Sequence, residues 1–146
     1  MKSILFLCTG NSCRSQMAHG LANSLLSDKF ESYSAGIESH GLNPSAVKVM
    51  QEIGIDISQY QSQTLDEFDT KKFDYVVAVC EHAASNCPVF PEQTNVIVHQ
   101  FDDPPKLAKQ ANTPEEALDH YRRVRDQIKS WITTLPEQVS VSNTAA

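Results

Sequence analysis

The stretch Cys8-Thr9-Gly10-Asn11-Ser12-Cys13-Arg14-Ser15 sets a thiol at one end and an arginine and a hydroxyl at the other. These residue types can surround a tetrahedral oxyanion. Backbone amides at a helix start converge on the anion, and a guanidinium clamps two of its oxygens at once. Gly10 and Asn11 tolerate the left-handed angles such a cradle needs. The same field of amides and guanidinium favours thiolate over thiol at Cys8, with the Ser15 hydroxyl adding a hydrogen bond. Cys8 is therefore the candidate nucleophile, and Thr9, Gly10, Asn11, Ser12, Cys13, Arg14 and Ser15 are the candidate substrate-binding residues. A bare C-x5-R spacing also fits a buried cysteine, an ordinary turn and a surface arginine. The strand before this stretch and the helix after it favour the functional reading. Cys13 is read as a packed first-turn residue, since an unreactive cysteine behaves as a small hydrophobe.

A second group is Cys80-Glu81-His82-Ala83-Ala84-Ser85-Asn86-Cys87-Pro88. On a two-turn helix Cys80 and Cys87 share a face, yet a disulfide needs Cα atoms within about 7 Å, so the segment must loop or unwind to close one. Two readings stand: a redox pair, or two incidental internal cysteines. A zinc site from Cys8, Cys13, Cys80 and Cys87 lacks the usual C-x2-C spacing, and no metal is expected. Asp103, in Asp102-Asp103-Pro104, can donate a proton to a departing oxygen, although alone it reads as a solvated turn. The five histidines show no ligand spacing and are read as surface or core residues. Arg122-Arg123-Val124-Arg125 reads as a solvated helix face.

The elements that must position these residues alternate. Ser3–Leu7 is a short apolar run suited to a buried parallel strand, and Met17, Leu21 and Leu25 mark the helix that follows. Ser32–Ala35 is a second strand. Asn43-Pro44 starts a helix with Ala46, Met50 and Ile53 on its face, ending at Gly54. Thr64 and Glu67 form a capping-box pattern for a short helix ending near Lys71-Lys72. Tyr75–Val79 and Asn95–Val98 are the third and fourth strands. Thr113-Pro114 opens a last helix with Leu118, Tyr121, Val124, Ile128 and Ile132 on one face, and Pro136 is expected to stop it. The pattern predicts an α/β fold, a four-stranded parallel sheet flanked by helices. Ligands bind at the carboxyl ends of such strands, where Cys8, Cys80 and Asp103 all fall. One domain is expected over 1–135, with 136–146 a disordered tail.

The chain has 146 residues, 12 Lys+Arg against 18 Asp+Glu, and a formal net charge of -6. That length buries a full core without disulfides. The negative balance argues against a nucleic-acid partner. No run approaches the roughly 18 to 20 apolar residues of a membrane span. Met1–Cys8 is too short in its apolar part for a signal peptide, so the protein is read as cytoplasmic, where four cysteines point to chemistry rather than structural disulfides.

With these residues in view, the chain resembles the thioredoxin-coupled arsenate reductases built on the low-molecular-weight protein tyrosine phosphatase fold. The likeness runs to about Leu135, through Cys8–Ala18, Tyr33–Gly36, Gly54–Ser58, Cys80 with Cys87-Pro88, Phe101–Pro104 and Arg123–Asp126. The loop and Asp103 are shared with the phosphatases, whereas Cys80 and Cys87 favour the reductase. The resemblance implies a relay in which Cys8 attacks arsenate, Asp103 acts as general acid, Cys80 attacks Cys8, and Cys87 then takes over Cys80. It implies thioredoxin as electron donor, with glutathione and glutaredoxin the alternative, no bound cofactor, and a monomer.

The best-known members of this family bind potassium near the loop through an asparagine and a serine, matched here by Asn11 and Ser34, and two acidic residues. Here His19 and Gln63 stand at the acidic positions, which removes both carboxylates. Two other readings remain at this stage. One is a phosphatase acting on phosphate esters, although Pro104-Pro105-Lys106 lacks the aromatic wall of such sites. The other is a non-catalytic thiol module that captures arsenite or metal.

Overall fold

The apolar run Ile4-Leu5-Phe6-Leu7 shows no polar alternation because it is buried on both faces. In the computed structural model, which describes residues 1–69, 72–80 and 90–145, this run lies in β1 (Lys2–Cys8). β1 pairs in parallel with β2 (Phe30–Gly36) on one side and with β3 (Tyr75–Ala78) on the other, and β4 (Asn95–Val98) closes the far edge. The order β2-β1-β3-β4 means that the chain leaves β1 first to one side and later to the other. Such a reversal opens a crevice beyond the carboxyl end of the strand, which is where Cys8 sits. The four parallel strands are those the pattern predicts. β4 carries the cost of an edge position, with Val96 and Val98 exposed.

Among the described residues four helices accompany the strands: α1 (Arg14–Leu25), α2 (Pro44–Gln51), α3 (Pro104–Ala108) and α4 (Pro114–Ala145). α1 buries Met17 and Leu21 as expected, but Leu25 is exposed and Leu26 takes the core position where the helix ends. Gly20 lets α1 approach residues 50–57 closely, for a Cβ there would lie 2.6 Å from Ile57 Cγ2. Asn43 caps α2, its Oδ1 accepting from Ser45 N–H at 2.8 Å and Ala46 N–H at 3.2 Å, a contribution of about 1 kcal/mol. The Thr64 pattern yields only a single 3-10 turn over Leu65–Glu67, with Glu67 reaching back to Thr64 N–H.

Three further expectations change. Asp102-Asp103-Pro104, expected alone as a solvated turn, opens α3: Asp103 caps it and Pro104 takes its first position. α4 continues through Pro136. Pro136 lacks the N–H that would donate to the carbonyl four residues earlier, that of Ile132, but residues beyond it remain free to coil. The arginine cluster is not simply a solvated face. Arg125 is buried, donating to Val49 O and Glu52 Oε1 at 2.9 Å each, and Arg122 grips the Glu52 carboxylate through Nε and Nη2. These bonds tie α4 to the end of α2. Arg123 pairs with Asp102 at 3.0 Å, which binds α4 to the segment that carries Asp103.

Candidate active site

The loop between β1 and α1 is held from outside. Ile37 N–H donates to Cys8 O at 3.1 Å, Glu38 N–H to Thr9 O at 2.8 Å, His40 N–H to Gly10 O at 2.9 Å, and Asn43 N–H to Ser12 O at 3.0 Å. Ser62 Oγ adds a second donor on Gly10 O at 2.9 Å, and Gln16 Nε2 reaches Asn11 O at 3.1 Å. Every carbonyl from Cys8 to Ser12 is thus engaged. Because a trans peptide sets N–H opposite C=O, fixing the carbonyls outward turns amides toward the other side of the loop. That side is a cavity of about 340 Å³, to which Cys8, Arg14 and Asp103 all contribute.

Beneath the loop lies a buried polar network. Ser15 Oγ stands 2.8 Å from Cys8 Sγ and accepts from Asn11 Nδ2 at 2.9 Å, which leaves the Ser15 proton for the sulfur. Asn11 Oδ1 accepts from Gln63 N–H at 2.8 Å and from Gln16 Nε2 at 3.1 Å. Asn11 is fully buried and takes φ of 46°, the left-handed conformation expected for the loop. Gly10 serves another purpose. It is absent from the left-handed glycines, and a Cβ there would lie 2.3 Å from His40 Nδ1. Gly36 is equally constrained, since a Cβ would meet Glu38 O at 2.3 Å and Asn11 N at 2.6 Å.

The other expected residues come from different parts of the sheet edge. Arg14 is anchored by Phe101 O, to which Nη1 donates at 2.9 Å, and its Nη2 stands 3.8 Å from Asp103 Oδ2. Asp102 turns away to Arg123, so only the second aspartate lines the cavity. Cys80, just past β3, places its Sγ 3.3 Å from Thr9 Oγ1, against the residue next to the nucleophile. Cys13 lines the cavity yet is buried, and burial followed by the nearby Cys8 pushes its thiol well above the usual range. Cys87 lies outside the described residues. No disulfide joins Cys8, Cys13 and Cys80.

Sequence reasoning missed His40, Glu38 and Asn43. All three follow β2 and so return to the same sheet edge, which was the available signal. Asn43 also donates to Tyr121 Oη at 3.1 Å, coupling the loop and α2 to α4. His19, read as a surface or core residue and matched by the resemblance to an acidic position of the potassium site, contacts the network from below, its Nδ1 lying 3.0 Å from Ser34 Oγ.

Burial holds His19 well below the usual imidazole range, at about 4. Between pH 6.5 and 4 the unfolded chain binds a proton there that the folded chain refuses, so stability falls as the pH is lowered through that window. Above it both states are neutral and nothing is lost. At ~1.4 kcal/mol per pH unit the full effect is at most about 3 kcal/mol. The urea midpoint of His19→Gln is expected to change less between pH 7 and 4.5 than that of the natural sequence. Equal changes in the two proteins would refute this.

The loop, its arginine and the aspartate on a parallel sheet have known counterparts. The family model described as low molecular weight phosphotyrosine protein phosphatase matches residues 3–144. The chain belongs to this family. It is 52% identical over 136 residues to an arsenate reductase of Halalkalibacterium halodurans, covering 93% of this chain and 96% of that one. It is 50% identical to an arsenate reductase of Bacillus subtilis with the same coverage. Of solved structures, an arsenate reductase in the oxidized state superposes with TM-score 0.78 at 32% identity, covering 95% of this chain and 99% of that one. A low molecular weight protein tyrosine phosphatase from T. tengcongensis gives TM-score 0.75 at 28% identity, covering 94% and 99%.

Proposed function

We propose that the protein reduces arsenate to arsenite through Cys8, Cys80 and Cys87. The observation that carries this reading is the Cys80 thiol set against Thr9, because phosphate ester hydrolysis has no use for a second thiol beside the nucleophile. The relatives named as arsenate reductases support it.

In this reading the loop amides and Arg14 hold the oxyanion, and Cys8 thiolate attacks arsenic. One As–O bond breaks, and Asp103 supplies the proton with which that oxygen leaves as water. Cys80 then attacks Cys8 Sγ. The S–As bond breaks with its electron pair on arsenic, which becomes arsenite, and Cys8 and Cys80 are oxidised to a disulfide. Cys87 attacks Cys80 in turn, frees Cys8 as a thiolate and leaves a Cys80–Cys87 disulfide for an external dithiol to reduce. Thioredoxin is the proposed donor and glutaredoxin with glutathione the alternative. The working unit is the single domain over 1–135, acting as a monomer in the reducing environment of the cytoplasm.

Potassium does not fit this chain. Asn11 Oδ1 already accepts two N–H donors, Ser34 Oγ is engaged by His19 and donates to Gln16 Oε1, and neither His19 nor Gln63 offers a carboxylate. Replacing potassium by sodium is expected to leave turnover within about twofold, where a severalfold potassium stimulation would count against it.

A phosphatase reading is kept alive by the shared loop and by the likeness to the T. tengcongensis enzyme. The deciding measurement is NADPH consumption on adding arsenate with thioredoxin and thioredoxin reductase, beside a glutathione and glutaredoxin mixture and an aryl-phosphate assay. Arsenate-dependent consumption supports the reductase and names its donor. Brisk aryl-phosphate hydrolysis with no arsenate turnover would replace it with the phosphatase.

A further inference from the structure

Two side chains to which the relay gives no part stand at the mouth of the cavity. His40 lines it, and Glu38 Oε2 lies 2.6 Å from His40 Nε2. Both residues are clamped to the loop by their own backbones, Glu38 N–H on Thr9 O at 2.8 Å and His40 N–H on Gly10 O at 2.9 Å. The second ring nitrogen faces the loop, since Nδ1 would sit 2.3 Å from a Cβ built on Gly10. A carboxylate on one imidazole nitrogen fixes the ring's orientation and leaves the other nitrogen to exchange a proton with a reacting group. The arrangement is therefore an oriented acid–base pair, on a segment separate from that of Asp103.

The second displacement has a proton demand of its own. When Cys80 attacks Cys8, arsenic keeps the electron pair of the S–As bond and falls from As(V) to As(III), so the arsenite leaves with added negative charge on its oxygens. We propose that the Glu38–His40 pair is the acid of this step: protonated His40 gives its Nδ1 proton to an oxygen of the departing arsenite and becomes neutral imidazole. Charge and atoms balance, for a Cys80 thiolate, a monoanionic Cys8 adduct and an imidazolium give the disulfide, the arsenite monoanion and imidazole. Asp103 keeps the water that leaves in the first displacement. The assignment rests on the relay reading.

The test is a single turnover with reduced full-length protein in excess over arsenate and no external donor, arsenite being measured by rapid quench. Aryl-phosphate hydrolysis, which includes no arsenite departure, is run on the same preparations. For His40→Gln the ratio of arsenite release to aryl-phosphate turnover is expected to fall on the order of a hundredfold, the lower end for a placed general acid. Glu38→Gln gives a smaller fall in the same ratio. Free imidazole partly restores arsenite release to His40→Ala, which a merely structural role would not allow. A ratio within twofold of the natural sequence, or an equal fall in both activities, would overturn the assignment while leaving the relay standing. No arsenite from the natural sequence would remove the relay and this assignment with it.

Discussion

Cys8→Ser is expected to abolish arsenate reduction and aryl-phosphate hydrolysis together, by on the order of 10⁴-fold or more, while Cys87→Ser abolishes only the repeated turnover of arsenate. A serine in place of Cys8 keeps the Ser15 contact but offers a hydroxyl, a far weaker acid than a thiol, which the loop cannot hold as the anion that attacks. Both reactions share that first attack, so both are lost. Cys87 enters only after arsenite has left. Its variant should release one arsenite per chain, stop as a Cys8–Cys80 disulfide, and hydrolyse aryl phosphate when kept reduced. Arsenite counted against protein, with non-reducing peptide mapping, checks both claims. Multiple turnovers of Cys87→Ser with thioredoxin would show that the third thiol has another role.

The next largest loss is expected for Arg14→Lys. The guanidinium spends one donor on Phe101 O and keeps the remaining edge for the cavity, a division that a single ammonium cannot copy. A lysine that reaches the oxyanion abandons the carbonyl, and one that holds the carbonyl abandons the oxyanion. Loss of a preorganised donor at developing charge costs on the order of 10² to 10³ in kcat. Steady-state assays of both activities should show this fall with little change in thermal midpoint. A variant within tenfold of the natural sequence would mean that the loop amides alone carry the anion.

The parts legible in the sequence are those whose reason is local. β1 could be read because a strand buried on both faces must be apolar throughout, and the starts of α2 and α4 because a cap residue followed by proline is a chemical signature. The same signature stands at Asp103-Pro104 and opens α3, but two aspartates before two prolines also describe a turn. Leu25 and Leu26 exchanged places because helical periodicity loses its meaning where a helix frays. Arg125 looks like its solvated neighbours until Glu52 and Val49 O are brought against it from 70 or more residues away. The site divides in the same way. Cys8, Arg14 and Ser15 announce themselves by spacing, whereas His40 and Glu38 reach the loop only through parallel pairing of β2 with β1, a contact no local pattern encodes.

The order in which the chain is made has a consequence for its thiol. Cys8 is made well before the groups that fasten its loop, which are spread from Ile37 to Gln63, and its arginine is anchored only at Phe101. The strand that flanks β1 on its second side is itself some seventy residues downstream. Domains fold as units when their distant segments meet, and long-range parallel pairing is slow. A nascent chain therefore carries a bare cysteine with no cradle until those later segments have emerged and docked.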